Sequence, residues 1–188
     1  MKIDYKIQPM LFPLPAVMVS CGNAPENYNI ITLSWGGTIC SDPLMCYISV
    51  RPGRHSYQLI KDSMEFVINI TTKELAYATD WCGARSGRKY DKFKEMNLTA
   101  GASKEISAPT IEESPVSIEC KVVEIKQLGT HDMFIAKVVN IQVDEAYLDP
   151  QSGAFVLPSA MPIAYTQGSY FEQGETIGRS GWSIKEKK

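Results

Sequence analysis

Apolar and polar residues alternate with a period of two over six stretches of this chain, which predicts a protein built mainly of β-strands. In Leu44–Val50, Leu44, Cys46, Ile48 and Val50 share one face, while Met45, Tyr47, Ser49 and then Arg51 share the other. Residues 29–35 set Asn29, Ile31, Leu33 and Trp35 against Ile30, Thr32 and Ser34. Further strands are expected at 16–21, 65–71, 116–126 and 133–144, the last two forming a hairpin through Gln127-Leu-Gly-Thr-His-Asp. Helical spacing is confined to short segments at 56–63, 72–81 and 89–96. Ser56 is placed to cap the first, and Thr71 or Thr72 the second. With no βαβ rhythm and no GxGxxG, the pattern favours an antiparallel barrel carrying helices over a doubly wound sheet.

The 188 residues suffice for one domain, and no composition break suggests a second. Residues 97–114, rich in Ala, Gly, Ser, Thr and Glu, read as a surface loop. Residues 146–188 form an irregular C-terminal segment whose Tyr165, Tyr170 and Phe171 call for packing on the barrel or on a dimer partner. Its charged end, Lys185-Glu-Lys-Lys, is expected to fray.

A net charge of −2 gives no basic footprint, so neither DNA nor RNA is expected as a partner. Pro9, Pro13 and Pro15 interrupt the apolar N-terminal run, and Asp4 sits where a secretory signal would be basic. A cytoplasmic protein with no membrane span is the expectation. The five cysteines are odd in number and lack a CxxC pair, and His55 and His131 are the only histidines, so no metal site is expected. Cys46 and Cys120 read as core residues and Cys82 as the exposed one.

The residues that carry chemistry concentrate between Tyr28 and Ile60. Arg51, Arg54 and Ser56 flank a Pro-Gly turn at a helix start, where two guanidiniums, a hydroxyl and free N–H groups make an anion site. Turn chemistry and surface charge account for each of these residues singly. The strand before them tips the reading toward a ligand, because Gly36-Gly37 beside Trp35 lets backbone approach one closely. Asn29 is then a hydrogen-bonding candidate, while the hydroxyls of Thr32 and Ser34 can equally bond to neighbouring strands. In the basic loop Ala84-Arg-Ser-Gly-Arg-Lys, Ser86 and Gly87 are further contact candidates. Lys89, Lys92, Phe93 and Met96 fall at helical spacing, which sets Lys92 at an apolar margin. Without GxSxG, a motif-like Cys–His pair or paired carboxylates, nucleophilic catalysis by the protein itself reads poorly.

NIITLSWGGTICSDPLMCYISVRPGRHSYQLI, the following EFVINI, WCGARSGRKYDKF and GTHDMFIAKV together resemble the flavin reductase-like family of FMN-binding split barrels, most closely its flavoredoxin branch. The resemblance runs from about Pro13 to about Glu145. It implies an antiparallel Greek-key split β-barrel with short peripheral helices, a homodimer, and one FMN per subunit near the dimer interface. It also implies that Lys92 approaches the flavin, at the N1/O2 edge where a cation stabilises the reduced ring, and that Trp35 lines the flavin site. His131 is implied near the flavin or the nicotinamide, as a catalytic candidate of open role. The activity implied is NAD(P)H-dependent flavin reduction by hydride transfer to flavin N5. The alternatives are an FMN electron carrier with a redox protein partner, or a dimeric scaffold without cofactor. A single phosphate-sized cluster makes FMN a simpler choice than FAD.

Overall fold

The computed structural model describes residues 1–184; the charged end expected to fray lies outside them. In chain order the elements are β1 (Leu14–Pro15), β2 (Val17–Cys21), β3 (Asn29–Leu33), β4 (Gly36–Ser41), β5 (Leu44–Val50), α1 (His55–Ser63), β6 (Glu65–Ile70), α2 (Ala76–Ala84) and α3 (Lys92–Glu95). They continue with β7 (Ala100–Gly101), β8 (Thr110–Ile111), β9 (Val116–Gln127), β10 (Asp132–Val143), β11 (Ile163–Thr166) and β12 (Ser169–Glu172). Seven strands form one antiparallel sheet in the order β3-β2-β6-β9-β10-β5-β4. β5 and β6, consecutive in sequence, are separated by the β9/β10 hairpin, so the topology is a Greek key. The two end strands of the sheet, β3 and β4, follow each other in the chain through Ser34 and Trp35, and the Trp35 carbonyl, accepting from the Ser49 N–H at 2.8 Å, extends the β4/β5 ladder. Among the described residues, no strand pairs with the outer edge of β3, and the barrel is open there.

The alternation seen in the sequence explains how β2 and β3 are buried on both faces. Val17, Val19, Cys21 and Ile31 enter the barrel core with Ile48, Phe66 and Phe134. Met18 and Ile30, pointing the other way, pack under α2 and α3 with Leu75, Ala78, Cys82 and Phe93. The helices are thereby fixed against the edge strand, where their loops reach the opening. Among the described residues, no helix is long and apolar enough to cross a membrane.

Several local expectations are corrected. Residues 29–35 do not form one strand: β3 ends at Leu33, and Gly36-Gly37 open a further strand, β4, that pairs with β5. The N-cap of α1 is Arg54, and Ser56 lies inside the helix, where Asn29 Nδ2 donates to its hydroxyl. α2 begins at Ala76, four residues later than expected, and α3 is a single turn. Cys82 is fully buried, because the face of α2 that carries it packs on Met18 and Ile30. The C-terminal segment is not irregular throughout. It folds back as the β11/β12 hairpin, pairs with β1, and sends the Ile163 N–H to the Thr71 carbonyl at 3.0 Å.

The 97–114 stretch is more ordered than a surface loop, with Ala108, Thr110 and Ile111 buried. Its anchor is the buried carboxylate of Glu119, which accepts from the Lys104 and Glu105 N–H groups and from the Asn140 and Gln142 amides at 2.7–3.0 Å. Burial acts to raise this carboxyl's pKa, but the four donors outweigh it and hold the group below its ordinary value. The folded-state pKa is depressed, so this stabilisation is present above the unfolded value and is lost as pH falls through the folded one. Glu119→Gln should lose about 2 kcal/mol at neutral pH and flatten the acid limb of the stability profile, as read by urea titration from pH 3 to 7.

Candidate functional site

Two adjoining cavities open along the unpaired edge of β3. The inner one, of about 210 Å³, is lined by Asn29, Ile31, Gly53, Arg54, His55, Ser56, Cys82, Gly83, Arg85, Ser86, Gly87, Arg88 and Lys92. The outer one, of about 380 Å³, is lined by Ile31, Thr32, Leu33, Ser34, Trp35, Ser49, Arg51, Arg54, His131 and Tyr165. Asn29, Thr32, Ser34, Trp35, Ser49, Arg51, Ser56, Ser86, Gly87, Lys92 and His131 each border one of them and Arg54 borders both, whereas Gly36 and Gly37 line neither, being paired with β5.

Among the described residues, no carboxylate lines the inner cavity, although Arg54, Arg85, Arg88 and Lys92 all do. Lys92 is 3% exposed, and its Nζ donates to the carbonyls of Ile30 and Cys82, both at 2.6 Å. The Cys82 carbonyl belongs to the last turn of α2, so the ammonium also sits at the negative end of that helix. Burial pushes the Lys92 pKa down to about 8, with Arg54 adding to the fall and the Cys82 and Cys21 thiols opposing it. Those thiols are no counter-ions, since burial pushes Cys82 up to about 11 and Cys21 up to about 12. Lys92 is therefore not at an apolar margin as its spacing suggested. It is a buried cation with two donors engaged and a third left.

The cavity's other side is built from two loops. Arg88 Nη1 donates to the Gly53 carbonyl at 3.1 Å, which ties the basic loop to the turn before α1. Gly87 passes so close to β3 that a Cβ there would lie 2.1 Å from Asn29 Oδ1. Asn29 in turn donates to Ser56 Oγ at 2.7 Å, which leaves the Ser56 O–H as a donor. Glycine at this position is required by the close approach.

The outer cavity differs in character. Trp35 and His131 face each other with ring centroids 4.7 Å apart, and Tyr165 enters from the C-terminal hairpin. Arg51 Nε donates to His131 Nε2 at 3.3 Å, and Thr130 Oγ1 lies 2.9 Å from Nδ1. A ring that accepts at Nε2 carries its proton on Nδ1, so His131 is the neutral Nδ1–H tautomer. Burial lowers its pKa, and Arg51 and then Arg54 lower it further. Next in the chain, Asp132 accepts from the Tyr57 hydroxyl at 2.6 Å, which fixes the start of β10 against α1.

The anion site expected at Arg51, Arg54 and Ser56 is thus divided. Arg51 serves the outer cavity with His131, Ser56 the inner, and Arg54 stands between. Thr32 lines the outer cavity, but its hydroxyl donates to the Thr79 carbonyl, the structural use open to strand hydroxyls. Of the basic and aromatic lining residues, four escaped the sequence reading. Arg85 and Arg88 were visible only as part of a basic loop, and His55 as a helix-start residue. Tyr165 carried no local signal, because the pairing of β11 with the distant β1 places it.

The antiparallel barrel thus carries a cationic cavity and an aromatic one side by side at its open edge. The flavin reductase like domain matches residues 10–174, and the chain belongs to that family. It is similar to flavoredoxin of Desulfovibrio vulgaris (Miyazaki F), with a TM-score of 0.89 and 26% identity over 98% of this chain and 100% of that one. The FMN-binding protein of Thermus thermophilus has the same fold, with a TM-score of 0.77 and 21% identity over 95% of this chain and 100% of that one. An uncharacterised protein of Pyrococcus abyssi is 31% identical over 69% of this chain and 74% of its own length.

Proposed function

We propose that the chain binds FMN, with the phosphate in the inner cavity and the isoalloxazine in the outer, and that it is an NAD(P)H-dependent flavin oxidoreductase. The observation that carries this reading is a cavity with three guanidiniums and an ammonium but no acid, opening onto aromatic rings along a free strand edge. Cations without counter-ions fit a phosphate, and the unpaired N–H and C=O groups of β3 fit the polar edge of a heterocycle. Bound FMN supplies the redox chemistry, accepting hydride at N5. The protein's own groups bind and tune it. Lys92, Arg54 and the Ser56 O–H hold the phosphate; Trp35, His131 and Tyr165 wall the ring and exclude water. Arg51, with Arg54 at the boundary, supplies the positive charge of the outer cavity, so the charge that favours a reduced, anionic ring comes from these two rather than from Lys92. His131, neutral and held at both nitrogens, positions Arg51 against Trp35.

Arg54→Ala should weaken FMN by about 10- to 150-fold, the loss of one charge-assisted contact, and leave riboflavin nearly unchanged. Equal losses for the two ligands, read by fluorescence titration, would place Arg54 away from the phosphate. Rapid NADH or NADPH oxidation by the flavin-loaded protein under anaerobic conditions tests the enzyme reading. A yellow protein that neither nucleotide reduces would instead be an electron carrier with a protein partner, a reading favoured by the full-length similarity to flavoredoxin.

A homodimer belongs to the same proposal. Ile3, Tyr5 and Ile7 alternate with Lys2, Asp4 and Lys6 as a strand would, yet among the described residues they pair with no strand, and they are exposed. Sedimentation at equilibrium should report twice the chain mass, and removal of residues 1–8 should shift it toward the monomer.

A further inference from the structure

The β11/β12 hairpin does not lie flat on the barrel. Between it and α2 a cavity of about 280 Å³ remains, bounded by Tyr165 and Tyr170 on the hairpin and by Asp80, Gly83 and Ala84 on the helix. It shares Thr32, Leu33, Ser34 and Tyr165 with the outer cavity, so the two adjoin and Tyr165 stands at their boundary. Small-molecule sites run from roughly 300 to 1000 Å³, which makes this one the size for a single ring and too small for a nucleotide.

Its chemistry is the reverse of the inner cavity's. Ala16, Leu33, Gly83 and Ala84 give it apolar walls, and the Tyr165 and Tyr170 rings meet with centroids 5.5 Å apart at 61°. Among the described residues, Asp80 is its one charged side chain, and no lysine, arginine or histidine lines it. Asp80 also forms no ion pair there. Its Oδ1 accepts from the Tyr170 hydroxyl at 3.2 Å, while Oδ2 has no partner among the described residues. Burial, then Asp80 and Tyr165, push the Tyr170 pKa up to about 12, so that hydroxyl stays a donor and Asp80 stays its acceptor. Two π-faces and a carboxylate attract positive charge, and the same carboxylate repels an anion.

We propose that this cavity receives the ring of an aromatic co-substrate that carries no negative charge, and that Asp80 is the residue that excludes anions. This rests on the reading that the outer cavity holds the flavin ring, since the shared wall at Thr32, Leu33 and Ser34 then sets the co-substrate beside that ring. Selection of the co-substrate belongs to α2 and the C-terminal hairpin, and retention of the cofactor to the cationic inner cavity.

Asp80 and Ala84 give the test, since both are exposed, line this cavity and line neither of the two assigned to FMN. The full-length, FMN-loaded protein is titrated with benzyl alcohol, benzyltrimethylammonium and benzylsulfonate, as wild type, as Asp80→Asn and as Ala84→Trp. In wild type the alcohol and the ammonium should bind at least about tenfold more tightly than the sulfonate. Asp80→Asn should cut the preference for ammonium over sulfonate by at least about fivefold. Ala84→Trp, which fills the cavity, should weaken the alcohol and the ammonium by at least about tenfold. FMN affinity should stay within about twofold in both variants, which reports that they are folded. A wild type that binds the sulfonate as tightly as the ammonium, a preference unchanged by Asp80→Asn, or probes indifferent to Ala84→Trp overturns the proposal and leaves the FMN reading intact. A wild type that does not bind FMN overturns the FMN reading and this inference with it.

Discussion

Gly87→Ala is expected to lower FMN affinity by about 100-fold or more while the barrel stays folded. The glycine's backbone conformation is not the reason, since Gly87 is not among the glycines with positive φ. The reason is space. The new methyl would lie 2.1 Å from Asn29 Oδ1 and 2.9 Å from His55 Cδ2. Asn29 is buried and bonded to Ser56, so it cannot swing away without breaking a contact inside the cavity. The alternative is for the 85–88 loop to move outward, which carries Arg85, Ser86 and Arg88 away from the phosphate. Overpacking of this kind costs about 1–3 kcal/mol in stability, which a thermal melt would show as a drop of about 2–12 °C. A variant with wild-type FMN affinity would mean that the inner cavity does not hold the ligand.

Lys92→Met should have a small effect on stability and a large one on phosphate recognition, because two opposing terms act on stability and only one acts on binding. The fall of the Lys92 pKa from 10.5 to about 8 is worth about 3 kcal/mol against the charged form, and methionine removes that cost. Against it, the carbonyls of Ile30 and Cys82 lose their shared donor, at about 1–3 kcal/mol each. These largely cancel. FMN, by contrast, loses a buried cation, and its affinity should fall by about 10- to 150-fold while riboflavin changes little. The midpoint potential of the bound flavin should be nearly unchanged, since the proposed place of the ring is the other cavity.

The same lysine sets a pH dependence. Its folded pKa lies below the unfolded value, so between about 8 and 10.5 the unfolded chain binds more protons and stability from this group rises with pH. An anion in the cavity favours the charged form, so FMN binding takes up a proton above pH 8. Wild-type FMN affinity should accordingly decline above about pH 8, and the decline should be absent in Lys92→Met.

The sequence was legible where local pattern and global fold agree. Leu44, Cys46, Ile48 and Val50 alternate because one face of β5 enters the core, and the period survives folding unchanged. Asn29, Arg54 and Ser56 line one cavity for a related reason, since they lie on or beside elements whose register the pattern fixes. Their grouping was not legible. Arg51 and Ser56 are five residues apart, yet the turn between them sends one to His131 and the other to Asn29. Lys92 misled because helical spacing reports which residues share a face and not whether that face is covered. Here Ile30 and Cys82, contributed by β3 and α2, cover it. The ends of α1 and α2 were misjudged because Ser and Thr are good caps wherever one is needed, and tertiary contacts decided otherwise at Ser56 and Thr72.

The position of Tyr165 orders events during synthesis. The barrel strands and every lining residue of the inner cavity precede Val143, so a nascent chain can close the sheet and form the phosphate cavity before its last quarter leaves the ribosome. Trp35 and His131 are then already in place, but Tyr165 completes the aromatic wall of the outer cavity only when β11 pairs with β1, one of the earliest segments made. Cofactor captured by its phosphate during translation would therefore be ring-exposed at first, and the C-terminal hairpin would enclose it as the final step of maturation.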